Sequence, residues 1–247
     1  MSGTGTSQRR RPSAATGVEH GQRRRLVVEQ LLTSIFQGEF KAGERLVIQD
    51  LAQQFEMSPT PIREALVTLE GIGIVDIAPN CGAVVRRVTR ADVREVCQVR
   101  RALECTAVKL ACGRIPAGEL QDLAARFQVS SKKSARSAGG SRQKIQQVID
   151  QARDLDSRLH DVVAQCCGNR FLSRELGRLK LLFRTFRDVA WARRSAQQDL
   201  VRIPEEAAEH LVIVEALLDL DPVAASAAMG RHIRSGAKYW SHGLPTE

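Results

Sequence analysis

A mainly α fold in two parts follows from three features of the sequence. From Thr89 onward apolar residues recur at helical spacing almost without a break, with no alternating strand pattern among them. Before that point, two short helical runs are separated only by Glu56–Ser58, and a short alternating segment follows around a turn at Pro79, Asn80, Cys81 and Gly82. A chain of 247 residues, 43 % of them hydrophobic, can bury two cores, so the two patterns belong to two domains.

Taken in order, the opening MSGTGTSQRRRPSAATGVEH lacks the apolar centre of a secretory signal, and residues 1–20 read as a disordered basic tail. Residues 22–37 carry Leu26, Val27, Leu31 and Ile35 at helical spacing. GEFKAGERL (38–46) reads as a turn, and VIQDLAQQFEM as a second short helix with Ile48, Leu51, Ala52 and Phe55 inward. The next helix starts unusually, at SPTP. With Ser58 as N-cap, Pro59 and Pro61 fall in the first turn, where amides have no intrahelical partner and proline loses little. Ser58 is then expected to cap the amide of Thr60. Ile62, Ala65, Leu66 and Leu69 form its buried stripe, which leaves Thr60, Arg63, Glu64 and Val67 on or beside the opposite face. An ordinary surface helix would look the same, and its neighbours decide. Two short helices joined by a tight turn, then a hairpin through Ile74, Ile77 and Ala83–Val85, make a winged helix-turn-helix over residues 21–88.

The second domain, 89–241, reads as an all-α bundle of about six helices, near 89–113, 117–134, 142–166, 169–193, 204–219 and 221–240. Thr89 with Asp92 outlines a capping box, and Asn169 and Asp221 look like later caps. SKKSARSAGGSRQ (131–143) reads as a mobile loop.

Composition narrows the partners. A net charge of +9 and a pI of about 9.7 favour an anionic partner such as nucleic acid. Aromatic residues are only 4 %, which speaks against base-stacking platforms for single strands. No apolar stretch reaches the roughly 18 residues of a membrane span. The six cysteines (Cys81, Cys97, Cys105, Cys112, Cys166, Cys167) contain no CxxC pair, so reduced thiols in a cytoplasmic setting are expected. Cys105 and Cys112 are expected to be buried, and Cys81 at its turn leaves a redox role open.

AGERLVIQDLAQQFEMSPTPIREALVTLEGIGIV resembles the DNA-binding domain of the GntR family of bacterial transcription regulators. VRRALE, DSRLH, CGNRFL, EHLVIVEAL and AAMGRHI are similar to the helical FCD effector domain of its FadR subfamily, and six helices rather than seven look like the VanR-like group. The resemblance covers about residues 25–240. It implies a homodimer on a palindromic double-stranded DNA operator, touched by Ser58, Thr60, Arg63 and Gly82. The chemistry agrees, since helix N-termini bind phosphate and arginine can pair bidentately with guanine. Arg23–Arg25 would add a phosphate contact or stay solvated. Pro59 stands where many relatives carry a base-reading arginine, and Gln49 and Cys81 replace other basic residues, so the operator sequence does not carry over.

A second site is suggested by Asp156 and His160, four apart on one helix face, with His210 and His232 on later helices. Three imidazoles and a carboxylate suit zinc, and also nickel, iron or manganese. Spacing alone reads equally well as surface histidines and a salt-bridged aspartate. All four match the family's metal positions, and the resemblance implies a divalent metal ion, most simply zinc, that coordinates a small carboxylate effector. Arg100 matches the arginine of the family's VR..LE pattern and would pair with that carboxylate; the competing reading is an i, i+4 bridge to Glu104. Arg184, Arg187 and Trp191 are further pocket candidates, while His20 and His242 fall in the tails. The expected function is a metabolite-responsive regulator, a repressor, without enzymatic activity. The alternatives are a metalloenzyme with open coordination and a sensor of the metal itself.

Overall fold

The computed structural model describes residues 14–78, 82–87, 89–137, 139–192 and 196–241, the side chains of 14–20, 36 and 184–199 excepted. The turn with Cys81, the side chains of Arg184, Arg187 and Trp191, and His20 and His242 lie outside the described side chains. The chain divides into two compact units, Met1–Arg87 and Val88–Glu247.

The first unit runs α1 (Ala14–Gln37), β1 (Arg45–Leu46), α2 (Ile48–Gln54), α3 (Pro59–Gly71), β2 (Val75–Ala78) and β3 (Gly82–Val85). α1 and α2 both pack on α3. Leu31, Leu32, Ile62 and Leu69 are fully buried there, and Leu46, Val75, Ala83 and Val85 close the core from the sheet. The antiparallel sheet has the order β1-β3-β2. β1 was not anticipated: the segment expected as a plain turn ends in Arg45 and Leu46, which pair with Val84 and Ala83. α1 begins at Ala14, so residues 14–20, expected in the tail, are helical. Ala14 and Ala15 favour a helix, and Gly17 and Gly21 weaken it without breaking it.

Ser58 stands at the N-cap of α3 in extended backbone, but its side chain makes no cap hydrogen bond. The expected cap is therefore absent. The amide that an N-cap hydroxyl often takes, at N3, is missing here because N3 is Pro61. Pro61 itself is buried, so it serves the core as well as the turn.

Gly82 begins β3 with φ +86°, and a Cβ there would lie 2.0 Å from the Leu46 carbonyl oxygen. Only glycine lets β1 approach so closely. Gly82→Ala is expected to destabilise this unit by about 1–3 kcal/mol, the cost of a strained backbone site. Urea denaturation checks this, and an unchanged midpoint would refute it.

The described residues of the second unit form six helices: α4 (Arg90–Ala111), α5 (Ala117–Ser137), α6 (Arg142–Cys166), α7 (Arg170–Ala192), α8 (Ala196–Leu218) and α9 (Pro222–Ser241). α4 packs along α9 and α5 along α8, while α6 touches α4, α5, α7 and α8. The caps act as read: Thr89 and Asp92 form a reciprocal capping box, Asn169 Oδ1 accepts from the Phe171 and Leu172 amides, and Asp221 Oδ1 from Val223 and Ala224.

Two boundaries moved. α5 continues through Ser137, well into the expected loop, because Ser134 and Ser137 are buried and their hydroxyls donate back to the Ser131 and Lys133 carbonyls. α8 starts at Ala196 and runs through Pro204, where a start was expected. Leu200 and Ile203 are buried against Ile145, Val148 and Ile149, and that packing outweighs the roughly 3 kcal/mol that an internal proline costs. No helix among the described residues is long and apolar enough to cross a membrane.

Candidate metal centre and nucleic-acid face

In the first unit, Ser58 at the N-cap of α3 and Thr60 and Arg63 on it are all exposed. Arg63 lines a groove of about 560 Å³ together with Arg45, Gln49, Ile77, Ala78 and Gly82. α3 and the β2–β3 hairpin thus share one concavity, with Arg63 on one side and Gly82 on the other; Ser58 and Thr60 lie outside its lining. Gly82 is buried, and its tight approach to Leu46 is a structural reason for a glycine there. Arg45 was missed. It occupies the exposed position of a two-residue strand, too short to leave a period-2 signal.

In the second unit, α6 carries Asp156 and His160 one turn apart, α8 contributes His210 and α9 His232. One ligand atom from each of the four lies within 4.8 Å of all the others. Asp156 Oδ1 is 3.2 Å from His210 Nε2, 3.6 Å from His160 Nε2 and 3.8 Å from His232 Nε2. His210 and His232 are buried, and the His210 ring stacks on Phe127 of α5 with centroids 4.6 Å apart.

The centre is braced from behind. His160 Nδ1 pairs with Glu104, whose other oxygen accepts from Arg100 Nε at 2.5 Å. His232 Nδ1 donates to Glu209 Oε2 at 2.9 Å. Neither carboxylate was anticipated as a support. The i, i+4 bridge from Arg100 to Glu104 is present, between two buried side chains. Arg100 also places Nη2 3.0 Å from His160 Nε2, with its guanidinium carbon 4.8 Å from the Phe183 ring centroid and 5.3 Å from that of Trp240.

Burial favours the neutral form of His210 and His232, whereas the partners of His160 favour its charged form. Burial, and then the neighbouring His232, lower His210 to about 4, so its ring is neutral near pH 7. Burial lowers His232 as well, against the Glu209 hydrogen bond. Burial also opposes a charge on His160, but the Glu104 carboxylate and hydrogen bonds donated to Asp156 and Glu104 prevail over Arg100 and raise it to about 9. Burial likewise opposes the Glu104 charge, yet Arg100 and His160 hold that carboxyl down at about 2. His210 Nε2 is buried and, although near Asp156, makes no hydrogen bond of acceptable geometry. An orphaned imidazole nitrogen costs about 1–3 kcal/mol, and a metal ion among these four ligands would satisfy it. The donor set therefore fits a divalent ion.

A cavity of about 210 Å³ opens beside the centre, lined by Asp156, His160, Arg100, Lys180, Phe183 and Trp240 among others. Lys180 pairs with Asp161, also in the lining. The described cysteines are free thiols; Cys97 and Cys167 are buried, whereas Cys105 and Cys112, expected to be buried, are only partly so. Cys105 faces α9, its thiol donating to the Ser226 carbonyl at 3.4 Å, and Cys112 follows the last residue of α4.

Comparison with known proteins bears on both units. Residues 23–85 match the bacterial regulatory proteins of the gntR family, and residues 95–235 match the FCD domain. McbR, an HTH-type transcriptional regulator of Escherichia coli K12, is 35 % identical over 99 residues, which are 39 % of this chain and 45 % of McbR. RspR, an HTH-type transcriptional repressor of the same strain, is 24 % identical over 192 residues, 78 % of this chain and 77 % of RspR. The match to McbR and that to YdhC of Bacillus subtilis 168 each span less than half of the relative's length, 45 % and 46 %. Among solved structures, E. coli McbR/YncC shares the fold with a TM-score of 0.62 at 20 % identity, over 88 % of this chain and 96 % of that one. These domains and relatives are regulators rather than enzymes, which removes the ground for the metalloenzyme reading. The chain belongs to the GntR family of bacterial regulatory proteins, with an FCD domain as its second domain.

Proposed function

We propose that the protein is a transcription regulator of the cytoplasm, a repressor, that binds a palindromic operator as a homodimer and responds to a small carboxylate held at a metal ion in its FCD domain. The observation that carries this reading is the Asp156/His160/His210/His232 cluster, open on one side to a closely sized cavity. Zinc suits three imidazoles and one carboxylate, and nickel, iron or manganese share that preference. When bound, such an ion supplies a positive site that can coordinate a ligand carboxylate. Ser58, Thr60, Arg63 and Gly82 would meet the DNA, with Arg45 added from the groove that Arg63 and Gly82 line.

Size and charge narrow the ligand. A cavity of about 210 Å³ is smaller than the roughly 300–1,000 Å³ that drug-sized ligands occupy. Two cationic side chains, Arg100 and Lys180, and three carboxylates, Glu104, Asp156 and Asp161, line it. Adding a divalent ion and counting His160 as neutral leaves one net positive charge, which a monocarboxylate neutralises and a dicarboxylate overshoots.

Thermal-shift titration of zinc-loaded and zinc-stripped protein with matched mono- and dicarboxylates tests this. Small monocarboxylates are expected to raise the melting temperature only of the loaded protein, and to weaken operator binding. Equal stabilisation of the stripped protein, or a preference for dicarboxylates, contradicts the assignment. Release from DNA on chelation, with no carboxylate able to change it, would favour the metal-sensor reading instead.

A further inference from the structure

The two supporting carboxylates differ in what stands behind them. Glu104 and its Arg100 line the ligand cavity. Glu209 does not; behind it stands Arg202, on the same helix, buried and outside the cavity lining. Arg202 Nη2 donates to both Glu209 oxygens at 3.1 Å and to Ser235 Oγ at 2.9 Å, while Nη1 donates to Glu205 Oε2 at 3.0 Å. Arg202 Nε is 3.5 Å from Glu206 Oε1, and the guanidinium carbon lies 5.8 Å from the Tyr239 ring centroid. The line Arg202, Glu209, His232 thus crosses from α8 to α9 and ends at a histidine whose Nε2 is 3.4 Å from His160 Nε2.

Burying an arginine among carboxylates is a poor way to stabilise a helical core, where apolar residues of like volume do as well or better. It is a good way to fix a ligand. A carboxylate on Nδ1–H selects the tautomer whose Nε2 lone pair is free, and sets the ring's orientation. A guanidinium holding both carboxylate oxygens keeps that carboxylate from turning away.

We propose that Glu209 and Arg202 are positioning residues for His232, setting the affinity of the metal centre from the side away from the ligand cavity. This rests on the metal reading above. Glu209 holds the imidazole and Arg202 holds Glu209, so the loss should grade along the line.

Zinc competition against a chromophoric chelator, on the full chain, reads the effect directly. Glu209→Gln is expected to weaken zinc about 10- to 100-fold, the usual cost of losing a partner behind a metal-bound histidine. Arg202→Lys, which keeps the charge and loses the fork, should weaken it several-fold, and it carries the test if Glu209→Gln fails to fold. The visible absorption of cobalt-loaded Glu209→Gln should shift while the melting temperature of the metal-free protein moves little; a merely structural pair would show the reverse. Wild-type zinc affinity in both variants, with His232→Ala losing zinc, overturns the positioning role and leaves the metal centre standing. Wild-type affinity in His232→Ala as well overturns the centre and the proposal together.

Discussion

Arg63→Ala is expected to reduce the preference of the protein for its operator over random DNA by about 5- to 150-fold per half-site, since one bidentate arginine–guanine pair contributes about 1–3 kcal/mol of discrimination. Arg63 is exposed on α3, opposite the stripe formed by Ile62, Ala65, Leu66 and Leu69. Its loss leaves the core untouched, and an exposed substitution of this kind usually changes stability by no more than about 0.5 kcal/mol. A homodimer would lose the contact twice. Fluorescence polarisation with operator and scrambled duplexes at matched salt separates base reading from phosphate attraction. If operator and scrambled affinities fall together, Arg63 contacts phosphate and the base-reading assignment is wrong.

His210→Ala is expected to abolish stabilisation by divalent metal. For the wild-type protein, an ion present at a hundred times its dissociation constant adds about 2.7 kcal/mol. The variant has one imidazole fewer and an opening where His210 stacked on Phe127. In metal-free protein the change should be far milder, because the substitution also removes a buried nitrogen that lacks a hydrogen bond. Calorimetric melting of both proteins, with zinc and with chelator, gives four numbers. A large metal-dependent rise is expected in the wild type and none in His210→Ala. An equal rise in both would place the ion elsewhere.

Much of this architecture is legible in the sequence because helices carry their own period and their own ends. The stripe in α3 and the caps at Thr89, Asn169 and Asp221 are local, each readable within a few residues. What escaped depends on distant packing. β1 is two residues long and exists because β3 lies beside it. The helical stretch before Pro204 is held by Leu200 and Ile203 packing on a helix some fifty residues earlier. The serines ending α5 looked like loop composition and are instead buried. The same division runs through the site. Its four candidate ligands stand out by residue type and by likeness to a family. Glu104 was invisible as a support of His160, since 56 residues separate them. Glu209 stands beside His210 in sequence yet serves His232, a pairing that only the packing of α8 on α9 creates.

The central claim, sequence-specific binding of double-stranded DNA, is tested most directly by incubating the full chain with sheared genomic DNA from its own source and sequencing the retained fragments. Enrichment of a few fragments sharing an inverted repeat, bound about 10³-fold or more tighter than random DNA at physiological salt, is the predicted result. Retention of all fragments in proportion to their length, or of none, would contradict it.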